Sequence, residues 1–122
     1  MARKILLVDD DLNILKLLNF KLKAQSYDVI VASDGLQAIA KARRENPDLI
    51  ILDIMMPAGG GINVYEKLKI MPETSIIPVI FITADQSDEV RKKVVKMGAD
   101  AFFTKPFEAE VLLAEIKNII GS

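Results

Sequence analysis

Leu49-Ile50-Ile51-Leu52, closed by Asp53, is the stretch on which the fold turns. Four apolar residues in succession, with no polar alternation, predict a strand covered on both faces, and the carboxylate marks where the strand emerges. Ile5-Leu6-Leu7-Val8, Val79-Ile80-Phe81-Ile82 and the weaker Ala101-Phe102-Phe103 have the same form, and Val29-Ile30-Val31 completes a set of five.

Between these runs the apolar period changes to that of a helix. Ile14, Leu17, Leu18 and Leu22 share one side, as do Gly35, Ala38, Ile39 and Ala42 after the second strand. Val64, Tyr65 and Leu68 follow the third strand, Val90, Val94 and Met97 the fourth, and Leu112, Leu113, Ile116 and Ile120 the fifth. Pro47 and Pro72 stand just past helices, Gly98 suits a helix end, and Pro78 opens a strand where no ladder N–H is lost. Strand-then-helix repeats of this kind imply an α/β fold, a doubly wound parallel sheet with helices on both faces and right-handed crossovers. Apart from Gly59-Gly60-Gly61 there is no low-complexity tract, and residues 1–122 read as one domain.

Composition narrows the chemistry. The 122 residues are 51% hydrophobic and 27% charged, which fits one globular domain rather than a disordered chain. Sixteen Lys and Arg against seventeen Asp and Glu leave a net charge of -1, so neither nucleic acid nor an anionic membrane exerts a global pull. Cysteine and histidine are both absent. Any site must therefore use carboxylate, hydroxyl and ammonium groups. The apolar run after Arg3-Lys4 is too short for a leader, and no run approaches the roughly 20 residues that span a bilayer, so the expectation is a cytoplasmic protein without membrane insertion.

In a parallel sheet the residues that end the strands lie on one rim. Those residues are Asp9 and Asp10 after the first strand, Asp53 after the third, Thr83 after the fourth and Lys105 just after the fifth. Ligands of open α/β sheets bind beyond this rim where the winding reverses. Three carboxylates there repel one another unless a cation intervenes, and an all-oxygen donor set selects a hard ion such as Mg²⁺, Ca²⁺ or Mn²⁺, with Mg²⁺ favoured for a small, partly hydrated site. Three negative charges, one Mg²⁺ and one lysine sum to zero, so a phosphoryl group could be accommodated. Asp53, central in the sheet, is the candidate nucleophile; Asp9 and Asp10 are placed to hold metal, Lys105 to meet phosphate as a point charge and Thr83 to donate its hydroxyl.

The chain closely resembles the receiver domain of bacterial response regulators. The resemblance is carried by Ile5 to Asp11, Pro47 to Pro57, Ile82-Thr83-Ala84, Gly98-Ala99-Asp100 and Lys105-Pro106-Phe107, in order along nearly the whole chain. It implies a flavodoxin-like sheet in the order 2-1-3-4-5. It further implies that Asp53 is the phospho-acceptor, that Mg²⁺ is held by Asp9, Asp10, Asp53 and the backbone carbonyl of Met55, and that Thr83 and Phe102 form the switch, with Lys105 sensing phosphate. The implied partners are a histidine kinase or phosphotransfer protein as donor and an unnamed downstream effector that binds a face made of helix 4, strand 5 and helix 5. The chain is then a self-phosphorylating, slowly self-dephosphorylating switch rather than a turnover enzyme. A cis Lys105-Pro106 bond is also implied.

Two departures from the family pattern carry expectations. Gly59-Gly60-Gly61 replaces a common Met-Asp-Gly, which predicts a more mobile loop. Ala101 and Glu115 break the ion-pair pattern of receivers that dimerise through helix 4, strand 5 and helix 5, which predicts a monomer when unphosphorylated. Plainer uses compete at single residues: Asp11 as a helix cap, Phe102 as core, and Arg91-Lys92-Lys93 with Lys96 as a solvated helix face. A flavin or nucleotide site would need a Gly- or Ser/Thr-rich loop after strand one, where this loop is acidic; an Asp-based phosphatase would want an acid at Met55. The remaining alternative is a degenerate receiver acting as a phosphorylation-independent docking module, against which the Asp10, Asp53, Thr83 and Lys105 set stands.

Overall fold

The computed structural model describes residues 2–56 and 60–121. Five strands alternate with five helices: β1 (Lys4–Val8), α1 (Leu12–Ala24), β2 (Asp28–Ala32), α2 (Gly35–Glu45), β3 (Leu49–Asp53), α3 (Gly60–Ile70), β4 (Val79–Thr83), α4 (Asp88–Met97), β5 (Ala101–Thr104) and α5 (Ala109–Ile120). All strand pairs are parallel, in the order β2-β1-β3-β4-β5. The central β3 and β4 are buried throughout, whereas β2 and β5, at the edges, are only partly covered.

Strand side chains alternate between faces, and this divides the core in two. Leu6, Val8, Ile50, Leu52, Val79 and Phe81 meet α2, α3 and α4 through Ala38, Ala42, Val64, Leu68 and Val94. Ile5, Leu7, Leu49, Ile51, Ile80 and Ile82 meet α1 and α5 through Leu15, Leu18, Leu22, Leu112 and Ile116. The inner strands thus need apolar residues at consecutive positions, which is why their runs were continuous. One helical position differs from the sequence reading: Leu15 is buried and Leu17 is 47% exposed. Leu17 and Leu18 stand 100° apart on the helix, and the stripe centred on Leu15, Leu18 and Leu22 faces the sheet.

The helix ends follow ordinary capping chemistry. Asp11 Oδ1 accepts from the N–H groups of Asn13 at 2.9 Å and Ile14 at 3.5 Å, so its cap reading holds. Gly98, at φ 83°, closes α4. Only Val94 of α4 is fully buried, and the Tyr65 hydroxyl adds a polar tether by donating to the Met97 carbonyl at 3.0 Å.

Two members of the triglycine that the sequence places in a loop stand in a helix instead, while Gly59 and Pro57 lie outside the described residues. Gly60, at φ 71°, and Gly61 form the first turn of α3, and the Gly61 N–H donates to the Ile54 carbonyl at 2.9 Å. A Cβ on Gly61 would lie 2.2 Å from the Asp53 carbonyl oxygen and 2.8 Å from its carbon. Glycine here permits close approach of helix to strand. Gly61→Ala is expected to destabilise the domain by about 1–3 kcal/mol in urea melts, because backbone atoms on both sides must shift.

Candidate functional site

The winding reverses between β1 and β3, the neighbours whose ends carry Asp9 and Asp53. Asp9 follows β1, held where its N–H donates to the Ala32 carbonyl at 3.1 Å. Asp53 ends β3 opposite Ile82, and the next residue of β4 is Thr83. Lys105 follows β5, its N–H donating to the Thr83 carbonyl at 2.7 Å. From that edge strand the long lysine stem reaches back over β4.

Asp9, Asp10 and Asp53 each offer a carboxylate oxygen within 4.8 Å of the others. Asp10 is exposed at the mouth, while Asp9 is 0% and Asp53 2% exposed. Lys105 Nζ lies 2.9 Å from Asp9 Oδ2 and 3.6 Å from Asp53 Oδ2. The first contact is one of charge rather than a directed hydrogen bond, so the buried Asp9 Oδ2 has no hydrogen-bond donor. The other Asp9 oxygen accepts the Asp11 N–H at 2.9 Å, and Asp53 Oδ1 accepts the Met55 N–H at 3.1 Å.

Burial, and then the Asp9 charge, push the Asp53 carboxyl up to about 6, against the opposing pull of the Met55 N–H and Lys105. Burial alone would lower Lys105, but its contacts with Asp9 and Asp53 outweigh this and raise it. The cluster is short of positive charge. An all-oxygen donor set with one undonated buried oxygen fits a hard divalent cation.

Thr83 is buried, and its Oγ1 accepts the Asp85 N–H at 3.1 Å, leaving the hydroxyl proton free to donate elsewhere. Phe102 is not among the polar groups: it packs against the core on the α4 side, and the Arg91 guanidinium lies over its ring at 5.7 Å. The Lys105-Pro106 peptide is cis. Sequence reasoning did not find Gln86, whose Nε2 donates to the Lys105 carbonyl at 3.2 Å across the rim. An exposed glutamine in a loop carries no pattern that would single it out.

Residues 5–117 match the response regulator receiver domain family, and the chain belongs to it. It is thus a receiver domain of two-component signalling, a class that interacts with histidine kinases and effectors. It is 40% identical over 120 residues to the alkaline phosphatase synthesis transcriptional regulatory protein PhoP of Bacillus subtilis, and 42% over 119 residues to the response regulator PleD of Caulobacter vibrioides. Each alignment covers 98% of this chain, which spans 49% of PhoP and 26% of PleD. Among solved structures, Vibrio cholerae chemotaxis protein CheY4 aligns with a TM-score of 0.90 at 29% identity, covering 98% of this chain and 99% of that one. The receiver domain of a Pseudomonas aeruginosa sensor histidine kinase aligns at 0.90 and 26% identity over 100% of both chains, and it carries a magnesium ion coordinated in its active site cleft. No helix among the described residues is long and apolar enough to cross a membrane.

The raised Asp53 value has a consequence for stability. Unfolded, the carboxyl titrates near 3.8; folded, near 6; between them the folded state holds more protons, so stability falls as pH rises through that window. In chelator at neutral pH, Asp53→Asn is expected to raise the unfolding free energy by about 1–3 kcal/mol, and the difference should vanish below both values. Thermal melts of both proteins between acidic and neutral pH measure it.

Proposed function

We propose that the chain accepts a phosphoryl group on Asp53 from a histidine kinase or phosphotransfer protein in a Mg²⁺-dependent reaction and thereby switches a partner-binding face. The observation that carries this reading is the convergence of three carboxylates and one ammonium from β1, β3 and β5 at one rim. Asp9, Asp10 and Asp53, with the Met55 carbonyl, would hold the ion. When bound, it supplies charge neutralisation for the incoming phosphoryl oxygens.

The remaining chemistry falls to the protein's own groups. A carboxylate oxygen of Asp53 forms the new bond to phosphorus while the bond from phosphorus to the donor imidazole nitrogen breaks, and the freed imidazole keeps the electron pair and takes up a proton. The product is an acyl phosphate. Lys105 stands beside Asp53 as a fixed positive charge, and the Thr83 hydroxyl can exchange its loop contact for a phosphate oxygen. That exchange would draw on the loop leading into α4, and so bias the face of α4, β5 and α5 between two arrangements. Water attack on the acyl phosphate would reset the switch. On this reading the protein is a cytoplasmic switch, not a turnover enzyme.

Incubation with Mg²⁺ and a small acyl-phosphate donor, followed by intact mass measurement, tests the reading directly. One phosphoryl mass is expected on the parent and none on Asp53→Asn or after chelation. Lys105→Met should be labelled on the order of tenfold to a hundredfold more slowly. Equal labelling of parent and Asp53→Asn, or none with Mg²⁺ present, would overturn it and leave a phosphorylation-independent docking module. With no tryptophan in the chain, mass rather than intrinsic fluorescence is the readout.

A further inference from the structure

Lys105 reaches the carboxylates from the edge of the sheet, so its placement depends on what holds its main chain. Its Nζ lies 2.9 Å from Asp9 Oδ2 and 3.6 Å from Asp53 Oδ2, and a small displacement of the stem changes which acid it serves. Misplacing a group at a reacting centre by about 1 Å can cost on the order of a hundredfold in rate. On one side the Lys105 N–H donates to the Thr83 carbonyl at 2.7 Å. On the other, Pro106 has no N–H to give, and Phe107 is held by packing, its ring centroid 6.3 Å from that of Phe103. The Lys105 carbonyl itself accepts from Gln86 Nε2 at 3.2 Å, and among the described residues this is the one side-chain hydrogen bond that joins residues 84–87 to residues 105–108. Gln86 is aimed by its neighbours. The Asp85 N–H donates to Thr83 Oγ1 at 3.1 Å, the Ser87 N–H to Asp85 Oδ1 at 2.8 Å and the Val90 N–H to Ser87 Oγ at 3.3 Å, so the backbone on both sides of residue 86 is pinned.

We infer that Gln86 is a positioning residue for phosphoryl transfer: its amide holds the Lys105 main chain and so keeps the ammonium between Asp9 and Asp53. Its hydrogen bond reaches the main chain alone, and its effect on the chemistry therefore passes through Lys105. An exposed bond of this kind adds little to global stability, yet it decides where a long side chain starts. Thr83 and Gln86 together grip both polar groups of the Lys105 backbone, so hydroxyl and charge at the rim are set from one segment. The effect on rate rests on the phosphorylation reading; the grip on Lys105 needs no phosphate.

Asp53 labelling at saturating acyl phosphate is expected to slow about threefold to fivefold in Gln86→Met, which keeps the side-chain length and removes its donors, and in Gln86→Asn, whose amide falls one methylene short. The Mg²⁺ concentration for half-maximal labelling should stay within about twofold of the parent's. In the Lys105→Met background, Gln86→Met should have no further effect, since the charge it positions is gone. A second readout needs no labelling: reductive methylation of the unphosphorylated chain in chelator, mapped by peptide mass, should modify Lys105 severalfold faster in Gln86→Met, because the ammonium leaves its carboxylates more often. Gln86 is exposed, and urea melts of the variants are expected to match the parent's. An unchanged labelling rate, slowing that persists in full without Lys105, or Lys105 methylation no faster than in the parent would each overturn the inference. Labelling of Asp53 with both readouts unmoved removes this inference alone; no labelling of the parent, with Lys105 methylation still faster in Gln86→Met, removes the phosphorylation reading and leaves the grip on Lys105.

Discussion

Two carboxylates, Asp9 and Asp53, are buried side by side at the sheet rim with a single lysine between them, and one of their oxygens has no hydrogen-bond donor. Charges removed from water need partners, and here the partners supplied by the fold fall short. Everything distinctive about the domain follows from that deficit. It raises Asp53, it gives Lys105 a reason to reach across the sheet, and it leaves the rim short of positive charge.

The scaffold makes this concentration of like charge tolerable. Parallel strands deliver Asp9, Asp53 and Thr83 to one edge, and two apolar layers hold those strand ends in place. Gly61 lets α3 start directly against the Asp53 backbone, fixing the end of β3 from behind. The opposite arrangement prevails at α4. That helix sinks one valine fully into the core, packs Val90 and Met97 partly against it, and is further secured by the Tyr65 tether, the Arg91 stack and the Gln86 contact at its approach. The end of β3 is thus held more firmly than the neighbouring helix.

Much of this was legible beforehand because the strands are buried on both faces, which turns alternation into unbroken runs such as Leu49 to Leu52, and because rim positions are simply the residues that end those runs. The parts that stayed hidden depend on three-dimensional contact. Periodicity could not choose between Leu15 and Leu17, since a leucine-rich helix offers more than one apolar stripe and the sheet decides which is used. Gly60 and Gly61 read as loop, although they open a helix and Gly61 allows its close approach to β3. The Tyr65 bond to Met97 joins positions 32 apart in sequence through one hydroxyl, for which no local pattern exists. The 2.9 Å contact of Lys105 with Asp9 joins the two ends of the chain and likewise has no local pattern.

Asp9, Asp10 and Asp11 are identical in composition and adjacent in the chain, yet one is sealed in the cluster, one sits at its mouth and one starts a helix. The three tasks are assigned by count from the end of β1, not by side-chain type. Exchanging one of them for another residue disturbs a single task, whereas removing or adding a residue in the run reassigns all three together. The junction therefore tolerates a change of letter better than a change of length, and a folding signal and a chemical one are read from the same ruler.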